Sequence, residues 1–340
     1  METPLTLADI GEFGLIRRIQ EILGTHSSEI LVGGGDDAAT ILPQARPLVI
    51  TTDTMVESIH FSLEWSSASD LAWKALASNL SDLAAKGAES RFGLITLGLP
   101  PATPVPWVEE FYLTLAAFRE EWSVEFLGGD TVLSNALFIS MTLLGYQIAP
   151  EPIRLHTAHP GDWILVTGTL GDAAMGLELL QGKDAADCPP EAVQFLRSRF
   201  LRPQPRLREA RRLLETATPS AMTDLSDGLA RDLPKICDAS HVGARLHVSF
   251  LPLSDPLRCV AGDRASHYAW CGGEDYELLL SLPPAQAEKL LSEWDQDFCR
   301  LSIIGEIVEF SQDVTVMGWE GTLPMGFDHF KTRRLSEMRE

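Results

Sequence analysis

Four short apolar runs in this chain end on a turn that joins glycine to carboxylate: Gly35-Asp36-Asp37, Gly128-Gly129-Asp130, Asp224 to Gly228, and Gly272-Gly273-Glu274-Asp275. This recurrence constrains the fold more than any other feature, because glycine lets the main chain approach a ligand closely and the adjacent carboxylate supplies charge. Plain turn chemistry would mix Asn-Gly and Pro-Asp freely instead. The richest stretch runs from Gly33 to His60. Three glycines lead into Asp36 and Asp37, and Pro47-Leu48-Val49-Ile50 then reads as a buried strand that ends on Thr51-Thr52-Asp53. Hydroxyls and carboxylates are hard oxygen donors, suited to magnesium rather than zinc. Taken alone, Asp36 and Asp37 would serve equally as turn caps, and Asp53 as the start of a loop.

With 340 residues the chain is long enough for two domains, each with its own core. Its formal charge of -21 excludes partners that are themselves polyanions, so neither nucleic acid nor an anionic membrane is expected. Phosphate substrates would be repelled too, unless divalent cations invert the local charge. The five cysteines, Cys188, Cys237, Cys259, Cys271 and Cys299, form no C-x-x-C pair and read as reduced and mostly buried in a cytoplasmic protein. The start, Met-Glu-Thr-Pro, carries no signal-like pattern, and no apolar run is long enough to cross a bilayer.

Hydrophobic periodicity predicts helices over 13–23, 71–86 and 107–122, and strands over 91–99, 124–127 and 135–147. Ala149-Pro150-Glu151-Pro152 reads as a linker and divides the chain into 1–148 and 149–340. Beyond it come a strand at 163–167, helices to about 180, to about 200 and over 205–215, a strand at 221–223, a helix after Gly228, and strands near 244–248, 276–282 and 301–308.

Asn79 and Asp82 stand three apart inside a predicted helix and so share a face; with Ser78 and Ser81 they face either water or a polar cleft. Asp224 and Asp227 flank Ser226 at a strand-to-helix junction. One of them would suffice as an N-cap, and the set could also hold a metal and a phosphate. Gly168-Thr169-Leu170-Gly171 has the look of a phosphate nest but lacks the Walker lysine, and a tight turn explains it as well. The arginines from Arg197 to Arg212 read as a solvated, salt-bridged helical face. The eight histidines show no metal spacing, and no G-x-S-x-G elbow occurs.

In their order, these blocks resemble the thiamine-monophosphate kinase family of the aminoimidazole-ribotide-synthetase-related, PurM-like superfamily. The blocks are Gly35-Asp36-Asp37-Ala38-Ala39, Thr51-Thr52-Asp53-Thr54, Asn79-Leu80-Ser81-Asp82-Leu83-Ala84, Gly128-Gly129-Asp130-Thr131, Asp224-Leu225-Ser226-Asp227-Gly228-Leu229 and Gly273-Glu274-Asp275-Tyr276-Glu277-Leu278. The likeness extends from Gly11-Glu12-Phe13 to Gly326-Phe327-Asp328-His329-Phe330, with Gly34 and Cys271 as small departures. It implies a two-domain fold: an N-terminal α/β domain whose strands join a second subunit in a barrel-like homodimer core, and a C-terminal α+β domain. It further implies ATP-dependent phosphorylation of thiamine monophosphate with several Mg2+ ions. By the same resemblance Asp37, Thr51, Thr52, Asp53, Asp82, Asp130, Asp224 and Asp227 would bind the metal, with Asp53, Asp130 and Asp227 central to catalysis. Tyr112, Gly129, Asp130, Arg154 and Ser226 would contact ATP, and His60, Glu274 and Phe327 the thiamine substrate. The alternatives are another ATP-dependent enzyme of the superfamily and a non-catalytic nucleotide- or metal-binding regulator.

Overall fold

The computed structural model describes residues 4–24, 26–34, 36–310, 314–324 and 326. The chain divides into two compact units, one running through Leu83 and resuming at Glu89–Gln147, the other taking Ala84–Ala88 and continuing from Ile148. Both mix helix and sheet.

The first unit contains α1 (Leu7–Leu23), β1 (Ile30–Val32), β2 (Thr40–Ile41), β3 (Leu48–Val56), α2 (Ala68–Ala85), β4 (Ala88–Leu99), α3 (Val105–Ala117), α4 (Arg119–Trp122), β5 (Glu125–Leu133) and β6 (Phe138–Gln147). Helix α1 starts earlier than its apolar stripe predicts, because the Asp9 carboxylate accepts the Thr6 amide at 2.8 Å and closes the first turn. The four-stranded sheet has the order β3-β6-β4-β5, so β3 and β5 are its two edges. Strands β3 and β6 are antiparallel, with Leu48 opposite Tyr146 and Val56 opposite Phe138; β4 and β5 run parallel, with an irregularity between Gly93 and Leu94.

Two strands outrun their sequence signals. Thr51-Thr52-Asp53 lies in the middle of β3, and Gly128-Gly129-Asp130 lies inside β5 rather than on a turn after it. An edge strand needs only one buried face, so polar residues can continue it beyond the apolar run. Along β3 the residues Leu48, Ile50, Thr52 and Thr54 are exposed, and Ile50 keeps 61 % of its surface. No sheet in the described chain closes on itself.

The second unit contains β7 (Trp163–Thr167), α5 (Asp172–Leu180), α6 (Pro190–Leu201), α7 (Leu207–Thr216), β8 (Ala221–Asp224), α8 (Leu229–Ser240), β9 (Val242–His247), α9 (Asp255–Ala261), α10 (Ala265–Cys271), β10 (Leu278–Leu282), α11 (Pro284–Ser292), β11 (Leu301–Glu309) and β12 (Thr315–Met317). Its sheet has the order β12-β9-β11-β7-β10-β8. Strand β7 is covered on both faces, which is why it reads as an unbroken apolar run. Ile164 and Val166 enter one core with Leu229, Leu233 and Ile236 of α8, while Leu165 enters another with Leu213 of α7 and Leu290 of α11. Among the described residues no helix is long and apolar enough to cross a membrane.

The cysteines are not all reduced. Cys188, in the loop after α5, forms a disulfide with Cys259 of α9, at a Cα–Cα distance of 6.1 Å across 71 residues. Cys237 is free and buried, and Cys271 and Cys299 are free and half-buried. Absent any short-range spacing, only the tertiary fold brings the pair together. Closing a loop of this length removes chain entropy worth roughly 4 kcal/mol from the unfolded state. Cys188→Ser should therefore lower the urea unfolding free energy by about 2–4 kcal/mol in oxidising buffer, and the difference from wild type should vanish when both are measured in dithiothreitol.

Candidate active site

In the first unit the predicted residues gather at the two edges of the sheet. At the β3 edge, strand alternation puts Thr51 and Asp53 on one face and Thr52 on the other. The Thr51 hydroxyl donates to the Asp82 carboxylate of α2, so Asp82 sits on the same side as Asp53. Thr52 turns away, its hydroxyl donating to the Met141 carbonyl at 3.2 Å and accepting from Thr142 at 2.9 Å. Just after β3, His60 accepts the Val56 amide on Nδ1 at 3.0 Å, which leaves the proton of the neutral ring on Nε2.

At the β5 edge the Asp36-Asp37 turn lies against the second glycine block. A Cβ on Gly34 would stand 3.4 Å from the Leu127 carbonyl oxygen, and the Asp37 amide donates to Asp36 at 2.8 Å. Asp130 is exposed on β5 and accepts its neighbour's amide, from Thr131, at 2.8 Å. Gly129 has a structural reason to be glycine: its φ is 155°, and a Cβ there would fall 1.7 Å from the Ile95 carbonyl oxygen of β4. Asp53 and Asp130 are thus three strand spacings apart, on the order of 14 Å along the sheet.

The small polar residues of α2 do not face water. Ser78, Asn79 and Ser81 are all buried, and Asn79 donates to the Ala75 carbonyl of its own helix at 2.9 Å. Tyr112, expected at the nucleotide, is a core residue of α3 at 3 % exposure, edge-on to Phe111, and burial pushes its phenol up.

In the second unit two acidic turns are zipped together. The Glu274 amide donates to the Ser226 carbonyl at 2.8 Å, Tyr276 to Leu225 at 2.9 Å, and Leu225 in turn to Glu277 at 2.8 Å. This brings Asp224, Ser226, Asp227 and Glu274 into one place. Gly326 lies there as well, since a Cβ on it would be 2.9 Å from the Asp227 carbonyl oxygen. Phe327 itself lies outside the described residues. Asp227 is paired with Lys235 at 2.9 Å, and the same ammonium holds the buried Asp232 at 2.7 Å. Burial drives Asp232 up, against the pull of Lys235. Arg154 is exposed, and its carbonyl accepts the Met222 amide at 3.4 Å.

The segment resembling a phosphate nest is already filled from within. Asp275 accepts the Gly171 amide at 2.6 Å and the Ala173 amide at 3.2 Å at the start of α5. Gly168 makes room for Glu277, whose Oε1 would be 2.1 Å from a Cβ at that position. Glu277 is fully buried and accepts from Thr167 at 2.7 Å, Arg199 at 2.7 Å and both forks of Arg206 at 2.6 Å. Burial opposes its ionisation, but the two guanidiniums win and hold it below the usual carboxylate range. The arginine stretch is a solvated face only in part: Arg197, Arg202, Arg208 and Arg211 are exposed and Arg212 pairs with Glu215 and Glu293, whereas Arg199, at 8 % exposure, and Arg206 turn inward onto the same buried carboxylate. Sequence reasoning missed this pair because Arg206 and Glu277 are 71 residues apart and no local pattern joins them.

Among the described residues no group of three or more His, Cys, Asp or Glu side chains is close enough to hold a metal ion. The donors available are carboxylates and hydroxyls, which in kind suit a hard divalent cation, and they are distributed over two sheet edges and the paired turns.

This architecture defines the chain's class. Residues 35–147 match the N-terminal domain of AIR synthase related proteins, and residues 159–317 match their C-terminal domain. A thiamine-monophosphate kinase of Salmonella typhimurium is 38 % identical over 95 % of this chain and 99 % of its own length. The crystal structure of thiamine-monophosphate kinase from Stenotrophomonas maltophilia superimposes with a TM-score of 0.79 at 38 % identity, covering 91 % of this chain and 97 % of that one. A solved structure of AaThiL complexed with AMPPCP and TMP has a TM-score of 0.73 at 32 % identity, covering 96 % and 99 %. The chain belongs to the thiamine-monophosphate kinase family.

One pH dependence follows from the acid that fills the nest. Burial, with the charge of Asp172 beside it, pushes the Asp275 carboxyl from 3.8 up to about 8. The folded state then holds a proton that the unfolded chain releases, so this contribution to stability is full below about pH 4 and is lost as pH rises towards 8. Between those limits the urea unfolding free energy of the wild type should fall relative to Asp275→Asn, by up to roughly 1 kcal/mol per pH unit. Parallel pH profiles for the two proteins would contradict this assignment.

Proposed function

We propose that this chain transfers the γ-phosphoryl group of ATP to thiamine monophosphate, forming thiamine diphosphate and ADP, and works in the cytoplasm as a homodimer with several Mg2+ ions. The observation that carries the reading is the full-length likeness to a neighbour solved with AMPPCP, an analogue of ATP, and TMP, which we read as thiamine monophosphate. The acidic blocks add a chemical reason. Donor and acceptor are both phosphates, and their mutual repulsion has to be relieved before they can meet in line.

In the first unit Asp37, Thr51, Thr52, Asp53, Asp82 and Asp130 are the proposed holders of metal, and in the second unit Asp224 and Asp227. When bound, Mg2+ supplies charge neutralisation between the two phosphates. Thr52 would take part through its main chain, since its side chain lies on the far face of β3. Gly129, Arg154 and Ser226 are assigned to the nucleotide, together with Tyr112, whose burial confines it to lining the site from behind. His60, Glu274 and Phe327 are assigned to the acceptor. His60, whose Nδ1 accepts the Val56 amide, is held by that bond just after β3. The nucleophile is an anionic phosphate oxygen, so the reaction proceeds by direct attack on the γ-phosphorus, without a phosphoenzyme and without a general base.

Dimerisation supplies what one sheet lacks. Strands β3 and β5 are open edges carrying Asp53 and Asp130, and β3 also exposes Leu48 and Ile50. A second copy that continued the sheet into a barrel would cover those apolar residues and bring the edges of different protomers together.

The assay is purified protein with ATP, Mg2+ and thiamine monophosphate, following thiamine diphosphate and ADP together, with thiamine as the control acceptor. Equal yields of the two products are expected, none with thiamine, and Asp53→Asn or Asp130→Asn should each lower kcat by at least about a hundredfold. ADP without thiamine diphosphate would assign a different acceptor. Nucleotide-dependent thermal stabilisation without turnover would assign a regulator.

A further inference from the structure

Glu274 and Tyr276 both adopt left-handed backbone conformations, with φ of 69° and 52°, on either side of Asp275. Residues with side chains avoid this region, and two in three positions persist only where the surroundings over-determine them. Here the surroundings do so from both ends. Upstream, Asp275 is tied to the first turn of α5 by the Gly171 and Ala173 amides. Asp172, the adjoining residue of that helix, is fixed by Thr169 and Ser254 at 2.5 Å each. Downstream, Glu277 is gripped by Thr167, Arg199 and Arg206. Arg199 also reaches the Asp275 carbonyl at 3.5 Å, which links the two anchors. Every one of these groups is buried or half-buried.

We infer that Asp275 and the Arg206–Glu277–Arg199 clamp are positioning residues whose task is to hold Glu274 in its left-handed conformation, ready for the acceptor substrate. The inference rests on the proposed contact between Glu274 and thiamine monophosphate. The geometry accounts for the bidentate grip: a forked guanidinium fixes the orientation of a planar carboxylate, and through Glu277 the direction of the chain three residues earlier. A lysine at 206 keeps the charge and loses the fork. The predicted defect is therefore one of orientation, felt by the ligand that Glu274 touches and by no other.

The test is a double-mutant cycle on the complete enzyme. Glu274→Gln and Arg206→Lys should each raise KM for thiamine monophosphate about tenfold while KM for ATP stays within twofold. The double variant should show a KM for thiamine monophosphate no higher than Glu274→Gln alone, because the clamp acts only through that side chain. A purely structural clamp would instead lower the active fraction with both KM values unchanged, or multiply the two single effects, and either result overturns the inference. If Glu274→Gln alone leaves KM for thiamine monophosphate unchanged, the substrate contact is wrong and the inference falls with it. If only Arg206→Lys is silent, the contact stands and the positioning role is refuted. Asp275→Asn, read on the same scale, replaces Arg206→Lys should that variant fail to fold by thermal melt.

Discussion

A fully buried carboxylate between two guanidiniums is the interaction on which the second unit turns. Glu277 gathers Arg199 from α6, Arg206 from the start of α7 and Thr167 from the end of β7, and hands the chain directly to β10. Desolvating three charges is expensive, and such a cluster need not be more stable than an apolar one of equal volume. Its strength lies in what happens when it is broken, since an orphaned buried charge costs about 3–5 kcal/mol. Four elements are thus locked into one arrangement. Gly168 and the left-handed Glu274 and Tyr276 are tolerated because that arrangement leaves them no alternative.

The first unit solves a different problem with the opposite economy of burial. The carboxylates of its acidic blocks remain at exposed or half-buried positions, and its apolar core lies elsewhere, with Leu71, Leu76, Leu80, Phe92 and Phe111. Asp53 and Asp130 stay apart because they occupy opposite edges of one sheet, so the charge that the sheet presents is spread rather than focused.

Much of this was legible from the residues alone. Strand β7 was readable to the residue because both of its faces are buried, and the helix over Ala68–Ala85 because its leucines recur at helical spacing. The identity of the acidic blocks was legible, but their placement was only half so. Thr51-Thr52-Asp53 and Gly128-Gly129-Asp130 look like strand ends because the apolar pattern stops there, yet a ladder of main-chain hydrogen bonds to β6 and β4 carries both strands onward. Helices α9 and α10, of seven residues each, are too short to give a clear periodic signal. The arginines were seen as a group but not assigned to Glu277, and the cysteines were not seen as a pair, because both partnerships span about seventy residues and depend on the finished fold.

The disulfide also alters the covalent topology of the molecule. Cys188 and Cys259 close a loop that contains α6, α7, β8, α8 and β9, and with them the whole arginine stretch and the Asp224–Gly228 turn. The Glu274 turn lies outside it. Eleven of the chain's 27 Lys and Arg residues lie inside that loop, where a single tryptic cut opens the ring but releases nothing. The two ends stay joined through sulfur, and the nicked chain separates into fragments only when it is reduced.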